Sequence, residues 1–229
     1  MEWLYLDPHC HIMNTNISKL SASRKTGRFQ TDAQHNAILE AAEALFLQKG
    51  LAAVTMIDIA GKAGITKITL YRYFSNRDEI ALEIQARMMN RIAACIPADA
   101  LVHSPENVKK AVHALISNFE ALRDAYRFVA LYYQSTVETP LDDKKVQWTR
   151  EKLPPLLTYE IISSGREEDA PMTHRINTLL SMTIWSLENL SLRGELIWND
   201  GISSMQDHLN TIEEMMMFYI DGLLVAGAT

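Results

Sequence analysis

Apolar residues recur at three- and four-residue intervals along almost the whole chain, the period of helices with one buried face. Ile38, Ala41, Ala42, Leu45 and Phe46 share one stripe, opened by Asp32 as a cap and closed near Lys49 by Gly50. Two short segments follow. Thr55 is placed to cap a helix that starts at Met56 and ends at Ala63 and Gly64, and Thr66 to cap a second helix from Lys67 to Phe74. Gly64 supplies the turn, since a glycine just past a helix reaches left-handed backbone without a Cβ penalty. Ser75, with Asp78 and Glu79 in the first turn, opens a longer helix that runs to about Ile96 before Pro97. Further helical stretches fit Pro105 to Leu122, Asp124 to Glu138, Asp142 to about Ser163 with a break at Pro154 and Pro155, Met172 to Leu192 and Ser204 to Leu224. The pattern therefore predicts an all-α protein.

In the second short helix Leu70 and Phe74 face inward with Ile65. Thr66, Lys67, Ile68, Thr69, Tyr71, Arg72 and Tyr73 are left to cover the remaining surface. A helix this short cannot stand alone and must lean on its neighbours. Two helices joined by a glycine turn, the second dressed with hydroxyls, cations and rings, fit a helix-turn-helix whose second helix enters the DNA major groove.

Charge bears on that reading once it is divided by segment. The chain of 229 residues carries a formal net charge of -6, yet Arg24 to Arg91 hold ten Lys or Arg against seven Asp or Glu. Residues 92–229 hold eleven against nineteen. The cationic part coincides with the candidate reader, and the acidic remainder suits ligands or partners better than DNA. Two cysteines, Cys10 and Cys95, offer no disulfide framework, and no apolar run is long enough to span a membrane, so a cytoplasmic location is expected. The first twelve residues lack the form of a signal peptide, and Met13 is a plausible alternative start. His9, Cys10 and His11 have neither the spacing nor the further ligands of a metal site. No Walker loop, G-x-S-x-G, H-E-x-x-H or paired Cys-x-x-Cys occurs, so neither an enzyme nor a cofactor is expected. The rival classes are a helical protein-interaction adaptor that never touches DNA, and an enzyme with no recognisable motif.

Four motifs carry a resemblance. Ile38-Leu39-x-Ala41-Ala42-x-x-Leu45-Phe46-x-x-x-Gly50 is followed by Thr55-x-x-x-Ile59-Ala60-x-x-Ala63-Gly64-Ile65-Thr66 and by Thr69-Leu70-Tyr71-x-Tyr73-Phe74, with Arg77-Asp78-Glu79 beyond. In type, order and spacing, residues 32 to about 80 resemble the TetR (tetracycline repressor-like) family of bacterial transcriptional regulators. The resemblance implies a flexible arm over residues 1–31, a three-helix DNA-binding domain over 32–91 with its motif at 55–74, and a helical ligand-binding and dimerisation domain over 92–229. It further implies a homodimeric repressor on a palindromic operator of double-stranded DNA, answering to a small-molecule effector. Thr66, Lys67 and Ile68 then stand where base-edge contacts begin, Thr69, Tyr71 and Tyr73 where hydroxyls and rings meet the backbone, and Thr55 and Arg77 near phosphates. Ile68 departs from the small residue or proline usual in that family; it either changes base preference or is tucked against the motif.

The C-terminal part supports weaker expectations. Ile176, Leu180, Thr183, Leu187 and Leu190 form a four-three seam, as do Met205, Leu209, Ile212, Met216, Tyr219 and Leu223. Apolar residues off those seams, Leu179, Met182, Trp185, Met215, Phe218 and Ile220, are the candidate dimer interface. His113, Phe119, Tyr126, Tyr133, Trp148, Met182 and Trp185 are the candidate lining of an effector site.

Overall fold

A computed structural model describes residues 22–97, 105–136, 170–197 and 204–226. All regular structure among them is helical: α1 (Ala22–Lys49), α2 (Met56–Lys62), α3 (Lys67–Tyr71), α4 (Arg77–Ala94), α5 (Pro105–Ser117), α6 (Phe119–Thr136), α7 (Ala170–Ile197) and α8 (Met205–Ala226). The expected Asp142 to Ser163 helix and Trp148 lie outside the described residues. None of the described helices is long and apolar enough to cross a membrane.

Several boundaries differ from the expected ones for local reasons. Helix α1 begins at Ala22, so Asp32 lies within it and part of the expected arm, including Arg24, Lys25 and Arg28, has helical backbone. The cap of α4 is Asn76, not Ser75: Asn76 Oδ1 accepts from the Glu79 amide at 2.9 Å, while the Ser75 amide donates to Glu79 Oε2 at 2.6 Å. The two groups satisfy each other's neighbouring amides, as in a capping box moved one residue along. Helix α5 stops at Ser117 and α6 starts at Phe119, where an unbroken helix to Leu122 was expected. At the junction both the amide and the side-chain Nδ2 of Asn118 donate to the Ala114 carbonyl, at 3.2 and 2.8 Å. A side chain competing for a main-chain acceptor is a common way to interrupt a helix.

From Ile38 onward the chain forms one compact unit. Its core is one continuous cluster running from Ile38, Ala42 and Phe46 of α1 through Ile59, Leu70 and Ile80 to Phe128 of α6, Leu187 of α7 and Met216 and Ile220 of α8. Helix α6 packs against both α4 and α7, and α5 against α7 and α8. The Phe46 and Phe128 rings meet edge to face at 6.0 Å, joining the helix behind the reader to the helix at the centre of the C-terminal part. Arg91 of α4 and Glu43 of α1 add an ion pair at 3.9 Å, and Lys109 and His113 of α5 pair with Asp221 and Glu213 of α8.

Candidate nucleic-acid interface

The reader is built almost wholly from short-range hydrogen bonds. The Thr55 hydroxyl accepts from the Asp58 amide at 3.2 Å, and Asp58 Oδ2 accepts from both the Thr55 amide (2.9 Å) and the Thr55 hydroxyl (2.6 Å). This closed capping box holds the Asp58 carboxyl below its ordinary pKa through those hydrogen bonds, side-chain first. It also occupies the one proton Thr55 could offer a phosphate. At the other end of α2 the Gly64 amide donates to Gly61 O and the Ile65 amide to Ala60 O, at 3.2 and 3.0 Å. Gly64 has φ +67°, the left-handed residue that this paired closure requires. Helix α3 then opens with the Thr66 hydroxyl accepting from the Thr69 amide at 3.1 Å.

Burial divides the motif as its spacing predicts. Leu70 and Phe74 are buried, while Thr66, Lys67, Ile68, Tyr71 and Arg72 are exposed and Thr69 and Tyr73 half-buried. Ile68 is 80 % exposed, so it projects from the motif and is not tucked against it. Lys67 Nζ lies 5.6 Å from the Tyr71 ring centroid, an arrangement that steers the long side chain along the outer face of α3. Tyr73 instead packs against the core cluster from the rim.

Arg77 is placed differently from the other cations. Its Nη1 donates to three carbonyls of the segment between α1 and α2, Leu51 O at 3.0 Å, Ala52 O at 3.2 Å and Val54 O at 3.4 Å, while Nη2 pairs with Asp78 at 3.3 Å. The guanidinium therefore fastens the start of α4 to the turn that precedes α2. The family resemblance implies a cation near a phosphate at this position, and nothing in the spacing signals a fold-back spanning about 25 residues.

The other candidate residues scatter. Phe119 and Tyr126 are fully buried and stacked on each other at 5.7 Å, with the Tyr126 hydroxyl donating to Leu115 O. Burial raises the Tyr126 phenol's pKa far above its ordinary value. Tyr133 is exposed and meets Gln85 Nε2 at 3.4 Å; His113 is exposed at the α5–α8 ion pair. Of the candidate interface, Leu179 and Ile220 belong to the chain's own core, a correction that follows from α7 and α8 packing against α5 and α6. Met182, Trp185, Met215 and Phe218 are exposed, with Tyr219 beside them. Two further groups went unnoticed in the sequence. Asn76 could have been found as a capping residue three before Glu79, but nothing in the spacing separates the buried Glu188 from a solvent-facing acid.

Residues 38–84 match the family model described as bacterial regulatory proteins of the tetR family. Over 59 residues the chain is 41% identical to YdeS of Bacillus subtilis, an uncharacterized HTH-type transcriptional regulator, covering 26% of this chain and 30% of that one. It is 30% identical over 104 residues to the HTH-type transcriptional repressor KstR2 of Mycobacterium tuberculosis, covering 45% and 51%. The chain thus spans about half or less of the length of these curated relatives. A TetR family transcription regulator from Marinobacter aquaeolei has the same fold, with a TM-score of 0.55 at 17% identity over 82% of this chain and 97% of that one. Capped helices around a left-handed glycine and an outward face of hydroxyls, rings and cations thus coincide with the residues that match the tetR-family model, and over that segment the chain is similar to bacterial regulatory proteins of the tetR family.

Proposed function

We propose that this chain is a homodimeric, ligand-responsive repressor that binds a palindromic operator in the bacterial cytoplasm. The observation that carries the reading is the outer face of α3, where Lys67, Ile68, Tyr71 and Arg72 stand clear of the core on a helix pinned from behind by Leu70 and Phe74. Lys67 can donate to guanine, and Ile68 offers apolar contact of the kind a thymine methyl accepts. Thr66, Thr69 and Tyr73 flank them for backbone contacts. Arg77 acts behind this face, holding it in place.

Dimerisation is supported by the exposed stripes on α7 (Met182, Trp185) and α8 (Met215, Phe218, Tyr219), too apolar to be left in water. Two copies joined there present two readers to successive major grooves, about 34 to 36 Å apart when bound. A dimer lying across a promoter excludes polymerase without a further contact, and KstR2 is named a repressor. Selection of bound sequences from random DNA by the purified full chain is expected to return an inverted repeat, with affinity falling steeply in salt as counterions are released. Recovery of unrelated sequences, or binding indifferent to salt, overturns the regulator reading.

A further inference from the structure

Glu188 sits on the inner face of α7 between Ile184, Leu187 and Ser191, in the stripe that faces α5 and α6, and is only 6 % exposed. Among the described residues no cation or hydrogen-bond donor meets its carboxylate. The neighbouring donors are committed to the main chain: Ser191 Oγ to the Glu188 carbonyl at 2.6 Å, Thr183 Oγ1 to Leu179 O at 2.9 Å, the Tyr126 hydroxyl to Leu115 O at 3.3 Å and the Cys95 thiol to Ile92 O at 3.0 Å. Tyr126 and Cys95, the titratable groups close enough to interact with one another and, through Tyr126, with Glu188, are themselves neutral, each raised by burial. A second acceptor stands in the same core: Gln85 of α4, 2 % exposed, has its Oε1 without a partner. Arg123 of α6, whose guanidinium lies 5.9 Å from the Phe119 ring, likewise has its Nε buried without a partner.

A lone carboxylate withdrawn from water is costly, and a leucine at position 188 would pack the stripe with no such cost. Such a group is out of place in a purely structural core. We infer that Glu188 is the charge-recognising end of the effector site, and that the effector is a small apolar cation, a protonated amine or amidinium on an aromatic or aliphatic frame. The inference rests on the reading of the C-terminal helices as an effector domain. An amine brings the donor and the positive charge that Glu188 lacks among the described residues, and the buried Tyr126 ring, close enough for its phenol to sense the Glu188 charge, is an apolar neighbour. An anionic effector, such as a carboxylate, would meet like charge there. Burial pushes the Glu188 carboxyl up to about 7, so at pH 8 it is charged and ready to pair.

The test compares molecules of nearly one shape by thermal shift and calorimetry on the full chain at pH 8: 2-phenylethylamine, benzamidine and tryptamine as cations, 2-phenylethanol as the neutral match and 3-phenylpropanoate as the anion. At least one cation is expected to bind about tenfold or more tighter than the alcohol, the size of a charge-assisted hydrogen bond, with the anion weakest. Glu188→Gln is expected to bring the ratio of amine to alcohol close to one. Glu188→Leu, which suits the apolar stripe, serves if the glutamine variant does not fold. Equal binding of cation and alcohol by the wild type, preference for the anion, no shift with any of the three cations, or an undiminished amine preference in both variants overturns the proposal. Operator selection with the unliganded wild type tests the regulator reading separately, so failure of either leaves a distinct signature.

Discussion

The reader and the α7–α8 pair are both helical and both amphipathic, yet different forces fix them. From Thr55 to Glu79 the shape is set mainly by contacts three to five residues long, the Thr55–Asp58 box, the double closure at Gly64, the Thr66 and Asn76 caps, with the Arg77 fold-back as the exception. In α7 and α8 it is set by which side of a long helix another helix happens to cover. Leu179 and Met182 differ by one turn, and one is buried while the other is exposed. A locally determined element can carry its function on its surface with little help. A tertiary one divides its apolar residues between its own core and a partner, and the division is invisible until the fold is known.

Charging the exposed stripes should separate the two regimes most sharply. Trp185→Arg with Phe218→Glu is expected to convert a dimer to a folded monomer and lower operator affinity by about a hundredfold or more, because each monomer engages one half-site without the other. Leu179→Arg, one turn from the exposed Met182, is expected to unfold the chain by burying an unpaired charge. Sedimentation together with circular dichroism checks both; a Trp185/Phe218 variant that stays dimeric moves the interface elsewhere.

A smaller effect comes from the buried acid. The Glu188 pKa is raised to about 7 in the folded chain against an ordinary 4.5, so the native state holds a proton that the unfolded chain has released. Its contribution is therefore neutral below about pH 4.5 and becomes increasingly destabilising up to about pH 7, remaining constant above. Glu188→Gln is expected to leave stability unchanged near pH 4.5 and to raise it by up to about 3 kcal/mol at pH 8. Urea melts at the two pH values measure the difference, and equal gains at both would place the carboxyl in water.

The smallest effect distinguishes two kinds of cation in the reader. Arg77→Met removes bonds to three carbonyls and is expected to cost about 1–2 kcal/mol of stability. Operator affinity should fall with the slope against salt unchanged, since no phosphate contact is lost. Arg72→Met is expected to leave stability alone and to make the slope shallower by about two, one for each copy. If Arg77→Met flattens the slope as well, its guanidinium leaves the carbonyls when DNA arrives.

This contrast also explains how much the sequence could tell. Thr55, Gly64 and Thr66 announced their roles because capping and left-handed glycine are properties of a few adjacent residues. The inward face of Leu70 and Phe74 followed from period alone, and the all-helical class from the same period repeated. Ile68 was ambiguous in the sequence because both an outward and an inward isoleucine fit its spacing; burial settled it. Arg77 looked like a surface cation since its partners lie about 25 residues back, and Glu188 looked like any helical acid because desolvation depends on what three other helices bring near it. Leu179 and Ile220 were drawn to the dimer face by being apolar off the main seam, whereas their own chain covers them.

The edge-to-face meeting of Phe46 and Phe128 has a consequence for anyone wishing to reuse this reader. Both rings are wholly buried, and each is the other's wall. A reader excised after α4 would carry Phe46 to the surface along with the inner side of α4, and transplanting it onto a foreign effector module would demand an acceptor helix with an aromatic at the position of Phe128. The helix-turn-helix part and the C-terminal helices of this molecule are thus not interchangeable cassettes; they are two ends of one packed object, and a change in the C-terminal helices entails a change in the back of the helix-turn-helix.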